Sequence, residues 1–380
     1  MSYLNICGFE IGDSSVCAAT VGTLTFNWAY PPSGNERNGY GYVDVDGSLG
    51  GNHNFILSSY TQNIGVPTTF SADTIYVGAG VQLKAAPSGT VQLMGGRNSI
   101  TKIKGNVHVN ADRTLSVYTG STSVAGGSTV LALNTWYYIE FKTQQGAAGA
   151  YELRINGVTE LSGTANFAVG NYWDVVFGNY SLTLNTYRFW FDDIYINDAN
   201  FCPGIPSIDL LFANSNGTYT GWLGALGSLK VTKIQDHPPD GDTTFLYSST
   251  NGSVYTMLTT SDFVFAAATD SVPVIKYHHV VRVASGGAPA FRYISRSGTS
   301  DNMTDTDDNP GAGYLTRCRL WETDWDTSLP WTVSTATSSE TGVYDNSGAS
   351  CTLRVTHLSG EMLYYTPAVS RAKYTPHAGI

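Results

Sequence analysis

The stretch from residue 134 to residue 197 constrains the fold of this chain most strongly, because it reads as short strands joined by turns. It opens with Trp136–Lys142, whose mostly aromatic and β-branched residues suit a half-buried pleated surface better than a helix. We expect a loop at Gln144–Ala150. Tyr151–Ile155 then alternates polar and apolar residues, and Asn156-Gly157 supplies the positive φ values of a tight hairpin turn. The pattern predicts antiparallel sheet.

A further run with the same alternation, Tyr187–Ile196, closes this stretch. The order of strand, loop, strand, Asn-Gly turn, short strand and late Phe-Asp-Asp-Ile-Tyr-Ile strand resembles the laminin-G-like, concanavalin A-like jelly roll. The opening Cys7–Asp13 is similar to the first strand of such domains in structural proteins of tailed phages. The resemblance implies a jelly-roll sandwich over about half of the chain. It implies no particular chemistry, because this sandwich carries lectins, glycanases and inert structural modules alike.

Short strands separated by turn residues recur between Phe70 and Val117, and this regular spacing favours a sandwich over βαβ units. At Ala199–Pro206 two prolines around a glycine interrupt the pattern and predict a stiff connector. We therefore predict an all-β chain. A concanavalin A-like jelly-roll domain over residues 1–200 would be followed by a smaller β-rich sandwich module over residues 207–380.

The second half of the chain also reads as strands, among them Phe263–Ala266, Val274–Val283 and Leu315–Trp321. Asp301–Gly313 reads as an acidic loop between two of them. The Pro-Asp-Gly-Asp, Pro-Trp-Thr, Glu-Thr-Gly-Val and Leu-Arg-Val-Thr-His segments resemble a β-rich module common in phage tail and head proteins. This second resemblance implies a virion context and no chemistry.

Composition excludes several classes of partner. Charged residues make up 13% of the chain, against about a quarter in an average domain, and the net charge is −10. An acidic chain without a Lys/Arg cluster is a poor nucleic-acid binder, because phosphate neutralisation supplies most of that affinity. The N-terminus lacks the features of a secretory signal, and no apolar run approaches the ~20 residues of a membrane-spanning helix. We expect neither nucleic-acid binding nor membrane insertion.

The cysteines are odd in number and lack Cys-x-x-Cys spacing, which fits a reducing compartment and small buried apolar roles. A disulfide between Cys7 and Cys17 is the less favoured alternative. A composition common outside cells, with such cysteines and no export signal, indicates a virion protein synthesised in the host cytoplasm. The five cysteines are Cys7, Cys17, Cys202, Cys318 and Cys351.

Paired carboxylates of a glycanase are not evident. Sandwich glycanases carry Glu-x-Asp-x-Glu on one strand, so that one glutamate attacks while the other donates a proton. The glutamates of the first domain do not have this spacing. Glu322-x-Asp324-x-Asp326 has a similar period, but it lies in the second domain and runs into a Pro-containing loop, so a solvated acidic loop is favoured. We assign no catalytic residue. The glutamates of the first domain are Glu10, Glu36, Glu140, Glu152 and Glu160.

Calcium is the one cofactor for which the sequence offers a set of ligands. Asp301, Asp305 and Asp307, with Asp308, could supply carboxylate oxygens for Ca²⁺, which takes six to eight of them. The spacing fits no EF-hand, so a mobile polar loop is favoured over bound calcium. No other cofactor is expected.

Two pairs of adjacent residues lie within predicted strands. In some laminin-G-like domains an aspartate near Asp192 and Asp193 binds calcium, but strand alternation points these two to opposite faces. His278 and His279 diverge for the same reason, which excludes joint metal binding by that pair.

Tyrosines and tryptophans give the remaining signal. Tyr172 and Trp173 in a Gly-Asn-Tyr-Trp-Asp loop, with Tyr180 beyond them, could stack on sugar rings. Flat aromatic faces equally suit protein interfaces, and core or subunit contact is favoured over glycan binding.

These patterns together predict a non-enzymatic structural protein of a tailed-phage virion, located in the tail or on the capsid surface. It would form a homo-oligomer and contact other virion proteins through uncharged, tyrosine-bearing surfaces. Two alternatives stay open. One is a host-surface glycan-binding protein that uses Tyr172 and Trp173, and the other is a glycan depolymerase centred on Glu322 and Asp326.

Overall fold

The computed structural model describes residues 3–7, 42–46, 52–57, 63–70, 73–99, 102–167, 172–178, 188–224, 234, 243–260, 266–286, 289–304, 307–347 and 351–366. These residues form antiparallel strands and one short helix, so the prediction of an all-β chain is confirmed. The chain forms two compact units that divide between Ser207 and Ile208. In these ranges no helix has the length and apolar character required to cross a membrane.

The first unit consists of two antiparallel sheets. One has eight strands in the order β12-β11-β10-β5-β14-β3-β2, with β1 also on β14, and the other has six in the order β4-β13-β6-β7-β8-β9. The strands are β1 (Tyr3–Cys7), β2 (Tyr42–Asp46), β3 (Asn52–Leu57), β4 (Asn63–Phe70), β5 (Thr74–Ala85), β6 (Val91–Ser99), β7 (Lys102–Val109), β8 (Leu115–Thr119), β9 (Thr122–Gly126), β10 (Trp136–Gln144), β11 (Gly146–Ile155), β12 (Val158–Phe167), β13 (Tyr172–Gly178) and β14 (Arg188–Asn197).

The two sheets stack face to face, as the sandwich prediction requires. Phe177 of β13 and Phe191 of β14 meet edge to face with ring centroids 6.1 Å apart. On β5, alternate residues from Ile75 to Leu83 are fully buried and apolar, as expected of a strand that turns one side to the core. Each sheet therefore has an apolar inner face and a second, outer face.

The β11–β12 hairpin confirms the predicted turn. Asn156 and Gly157 have φ values of 51° and 77°, the left-handed conformation that a tight two-residue turn needs. The predicted loop at Gln144–Ala150 is wrong, because Gly146–Ala150 belong to β11 and pair with β12. A β-carbon at Gly149 would lie 1.9 Å from the carbonyl oxygen of Gln144, so this tight path needs glycine.

The predicted connector packs against the outer face of the eight-stranded sheet. Phe201 meets Tyr76 edge to face at 5.0 Å, and the guanidinium of Arg154 lies 3.9 Å from the Phe201 ring centroid. The backbone N–H of Cys202 donates to the hydroxyl of Tyr195. These contacts make the connector part of the first unit.

A buried carboxyl lies on this face. Glu140 accepts a hydrogen bond of 2.6 Å from the Tyr195 hydroxyl and is 1% exposed. Burial raises the pKa of Glu140 to about 7, although the bond from Tyr195 lowers it. The Tyr138 hydroxyl donates to the carbonyl oxygen of Asp193. Gly78 leaves room for both tyrosine rings.

Asp192 and Asp193 lie on β14, where the sequence predicts a regular strand with side chains on alternate faces. The structure differs from that prediction. The register shifts between Asp192 and Tyr195, and Asp193 has a φ of 47°. The backbone N–H of Asp193 donates to Oδ1 of Asp192 at 2.9 Å, and both residues are buried. A β-bulge therefore replaces the regular strand that was predicted here.

The described residues of the second unit form one antiparallel sheet of twelve strands. They also include one short helix. The main order of the sheet is β21-β20-β25-β18-β15-β26-β19-β24-β23. The elements are β15 (Ser207–Thr220), β16 (Leu223–Gly224), β17 (Leu246–Ser248), β18 (Val254–Thr260), β19 (Ser271–Ser285), β20 (Phe291–Ser297), β21 (Ser300–Met303), β22 (Leu315–Trp321), β23 (Thr323–Asp324), β24 (Leu329–Thr332), α1 (Val333–Thr337), β25 (Glu340–Asp345) and β26 (Thr352–Tyr365).

Several predicted strands of this unit are present. Val274–Val283 lies within β19, and Leu315–Trp321 coincides with β22. Most of the predicted strand Phe263–Ala266 lies outside the described residues. The predicted acidic loop Asp301–Gly313 is wrong at its start, because Asp301 belongs to β21 and pairs across the hairpin with Arg296.

We expect Gly78→Ala to lower the unfolding free energy of the chain by about 1–3 kcal/mol, because a forced contact in a packed interior is costly. The new β-carbon would lie 2.3 Å from a ring carbon of Tyr195 and 3.0 Å from one of Tyr138. Gly126→Ala is the control, because its β-carbon would meet only Ser116, at 3.6 Å. Urea unfolding of both variants checks this, and equal stability would contradict the packing described.

Candidate functional site

The aromatic residues considered for glycan binding are described only in part. Tyr172 and Trp173 are described only through the backbone of β13, so the predicted Gly-Asn-Tyr-Trp-Asp loop is strand from Tyr172 onward. Tyr180 lies outside the described residues. Their role in glycan binding stays a prediction.

Two of the aspartates considered as calcium ligands, Asp301 and Asp307, are paired with arginines. Oδ1 of Asp301 accepts from Arg296 at 2.6 Å, and Oδ1 of Asp307 accepts from Arg292 at 2.7 Å. Asp305 lies outside the described residues. Across the described part of the chain, no group of three or more His, Cys, Asp or Glu side chains could hold a metal ion.

In the Glu322-x-Asp324-x-Asp326 segment of the second unit, the two aspartates hydrogen-bond to residues in or next to turns. Asp324 is buried and accepts from the backbone N–H of Asp326 at 3.0 Å. Asp326 accepts from the Ser300 hydroxyl at 2.7 Å. Asp324 and Asp326 thus stabilise neighbouring turns, and the alternative of a depolymerase centred on Glu322 and Asp326 stays a prediction.

The described glutamates of the first unit have separate structural roles. Glu140 is buried beside Tyr195, Glu152 pairs with Arg154 at 2.7 Å, and Glu160 accepts from backbone N–H groups at Ser128 and Thr129. Glu10 and Glu36 lie outside the described residues.

A different cluster, which the sequence analysis missed, lies on the outer face of the six-stranded sheet. On β7, Val107 and Val109 are fully buried in the core, so the alternate residues Asn106 and His108 project from the other side. On β8, Leu115 and Val117 occupy the core in the same way. We call the cluster on the outer side of this sheet the polar face, and it consists of Gln92, Asn106, His108, Ser116 and Tyr118.

Strand register brings the five residues together. Gln92 of β6 pairs with His108, and His108 pairs with Ser116 of β8, so these three form a row across three strands. Asn106 pairs with Tyr118 in the adjacent row. Directly paired residues on antiparallel strands lie on the same face about 5 Å apart, which makes these side chains neighbours.

Several polar atoms of the polar face are buried without a partner. Gln92 is 1% exposed and Asn106 is 0% exposed. Both amide atoms of Gln92, Oδ1 of Asn106 and Nδ1 of His108 make no hydrogen bond within the described structure. A buried polar atom left unsatisfied costs about 1–3 kcal/mol, so such a concentration needs an explanation.

His108 is fixed in orientation and electrically neutral. Its Nε2 lies 2.8 Å from the amide nitrogen of Asn106, and its ring stacks on Tyr118 with centroids 4.1 Å apart. Burial lowers the pKa of His108 to about 4. With the Asn106 amide donating to Nε2, the imidazole proton lies on Nδ1, which then offers a donor on the polar face.

One end of the polar face is held by a small hydrogen-bond network. The amide nitrogen of Asn110 donates to Ser116 at 2.7 Å and to the Thr114 hydroxyl at 3.0 Å, and the Thr90 hydroxyl donates to its amide oxygen at 3.3 Å. Ser116 is thereby held in place beside His108. The polar face is uncharged and offers both donors and acceptors.

Comparison with known proteins gives no family. No protein-family model and no curated protein matches the chain. Among solved structures it is similar to the cellulose-induced protein Cip1, with 17% identity and a TM-score of 0.37 over 51% of this chain and 97% of that one. A Trypanosoma rangeli sialidase gives 12% identity and a TM-score of 0.35 over 43% of this chain and 29% of the sialidase. An endo-β-1,4-glucuronan lyase from the fungus Trichoderma reesei gives 8% and 0.34 over 45% and 91%.

These comparisons contradict the predicted function. The structures named are a sialidase, a glucuronan lyase and Cip1, and none of them is a phage protein. The prediction of a non-enzymatic phage virion structural protein is therefore wrong, and the predicted absence of enzymatic activity is not confirmed. The resemblance to the concanavalin A-like family stays a prediction. Likeness at these TM-scores carries no argument about the activity of this chain.

We expect the His108 imidazole to titrate with a pKa of about 4 in the folded chain, well below its ordinary value of 6.5. As the pH falls below 6.5, the unfolded chain takes up a proton that folded His108 does not, so this residue lowers stability by up to about 3 kcal/mol near pH 4. A histidine-ring NMR titration, with the signal identified by His108→Asn, measures the pKa. Titration near 6.5 would contradict the burial described.

Proposed function

We propose that the first unit binds a saccharide through the polar face and that the chain is a carbohydrate-binding protein. The observation that carries this proposal is the buried pair of amides, Gln92 and Asn106, whose unpartnered atoms lie beside the unpartnered Nδ1 of His108. Such atoms are the usual means by which a site fixes the orientation of a polar ligand.

The chemistry of the polar face fits sugar hydroxyls. Each hydroxyl both donates and accepts, and Gln92 offers an amide NH₂ group and an amide oxygen in one side chain. Oδ1 of Asn106 adds an acceptor, and Nδ1–H of His108 adds a donor. A ligand with several hydroxyls satisfies all of these atoms at once.

The charge of the site restricts the class of saccharide. His108 is neutral at pH 7 because burial lowers its pKa to about 4, and the other four residues of the polar face carry no charge. A charged group brought against buried uncharged amides would lose hydration without gaining an ion pair. The proposal is therefore a neutral saccharide.

An aromatic ring accompanies the amides. Tyr118 is half-buried and held in place by stacking on His108, so it presents a rigid apolar surface beside the hydrogen-bonding atoms. This combination of an aromatic surface with polar groups suits a sugar ring, which has both apolar C–H faces and polar edges. None of the five residues is a carboxylate, so hydrolysis by two carboxylates is not part of the proposal.

We expect the full chain to bind one or more neutral oligosaccharides in a panel that also contains uronate oligosaccharides, with isothermal titration calorimetry as the measurement. Gln92→Met should weaken binding by about tenfold or more, because it removes the amide NH₂ donor group and the amide oxygen acceptor at nearly constant volume. The same substitution should leave the unfolding free energy unchanged or higher, since an unsatisfied buried amide is removed.

Gln82→Met is the matched control. Gln82 of β5 is also buried, and its Oε1 also makes no hydrogen bond in the part of the chain that the structure describes, but it belongs to the eight-stranded sheet. We expect its saccharide affinity to equal that of the unmodified chain. Absence of binding across the panel, or equal affinity after Gln92→Met, would overturn the proposal that the polar face binds a saccharide.

A further inference from the structure

A thiol, an imidazole, a carboxylate and an ammonium group form a row in the second unit. His278 lies on the central strand β19, opposite Cys318 of the neighbouring strand β22. On the other side of β19, Lys276 lies opposite Glu361 of β26. The row crosses three strands, and its members come from distant parts of the sequence.

The distances within this row are those of hydrogen bonds. Sγ of Cys318 lies 3.2 Å from Nδ1 of His278, and Nε2 of the same ring lies 3.0 Å from Oε2 of Glu361. Nζ of Lys276 lies 3.3 Å from that carboxylate oxygen. A nucleophile bonded to a base, with the base oriented by a third group, is the arrangement that activates side chains for covalent chemistry.

The charges of the row favour transfer of the thiol proton to the imidazole. After the transfer each charge lies beside one of opposite sign, in the order thiolate, imidazolium, carboxylate and ammonium. Burial opposes this, but Cys318 and Glu361 raise the pKa of His278 to about 9. The pKa of the Cys318 thiol is likewise raised by burial, yet His278 and Lys276 lower it overall.

Access to the sulfur depends on β22. Among the described strands, β22 pairs only with β19, so it forms an edge. Cys318 is buried, but its neighbours Arg317 and Arg319 are partly exposed. Edge strands open locally at low cost, which admits a small uncharged molecule and excludes a polymer.

We propose that Cys318 is a redox-modification site, at which a small hydroperoxide oxidises the thiolate and His278 protonates the leaving group. In this step the sulfur attacks one oxygen of hydrogen peroxide, the S–O bond forms and the O–O bond breaks. The departing hydroxide takes the proton of the His278 imidazolium and leaves as water. The sulfur is oxidised to a sulfenic acid, and the peroxide is reduced.

Cys351 provides an internal control in the same unit. It is also a free thiol and is 2% exposed, against 0% for Cys318, so the two thiols are similar in solvent exposure. Its surroundings differ, because burial raises the pKa of Cys351 and its side-chain hydrogen-bond partner is Ser347. A difference in reactivity between the two thiols therefore reports on the row around Cys318.

The experiment treats the full chain with hydrogen peroxide, traps sulfenic acid with dimedone and measures each cysteine by mass spectrometry. We expect Cys318 to react about tenfold or more faster than Cys351, because the thiolate is the reactive form. His278→Gln should lower the rate at Cys318 to that of Cys351, with folding of the variant verified by circular dichroism.

If His278→Gln does not fold, the rates of Cys318 and Cys351 in the unmodified chain still test the proposal. Equal rates at Cys318 and Cys351, a slower rate at Cys318, or no labelling of either thiol would overturn the proposal.

Discussion

The pairing register of the antiparallel strands is the constraint on which both units depend. A shift of one residue would turn every side chain of a strand to the other face. In the first unit, the register that places Val107 in the core also places His108 on the polar face. In the second unit, alternation along β19 separates His278, which contacts Cys318, from His279, which lies 3.1 Å from the Thr341 hydroxyl.

Local features of the fold could be predicted from the sequence because their causes are local. The turn at Asn156-Gly157 is determined by two residues that readily adopt positive φ values. The strand Leu315–Trp321 is recognisable from its composition alone. The prediction of a loop at Gln144–Ala150 was wrong, because most of this segment is strand and its Gly149 lies close to the carbonyl group of Gln144. That contact is known only from the three-dimensional structure. A Gly/Ala-rich segment reads as a loop when that contact is unknown.

The candidate sites could not be predicted, because they depend on which distant residues meet. Gln92 and His108 lie on different strands, and only the register makes them neighbours. His278 and Cys318 are 40 residues apart in the sequence. The aspartates considered as calcium ligands show the same limit. Composition shows that carboxylate oxygens are present, but it does not show that Arg296 pairs with Asp301 or Arg292 with Asp307.

The buried Glu140 makes the first unit respond to acidity in an unusual direction. Its pKa is about 7 in the folded chain, above the ordinary 4.5, so between these values the unfolded chain releases a proton that the folded chain keeps. Stability from this residue is full below about pH 4.5 and decreases as the pH rises from there to about 7. The hydroxyl of Tyr195 donates to Glu140 and accepts from the backbone N–H of Cys202, so one hydroxyl couples the charge state of this carboxyl to the connector that leaves the first unit.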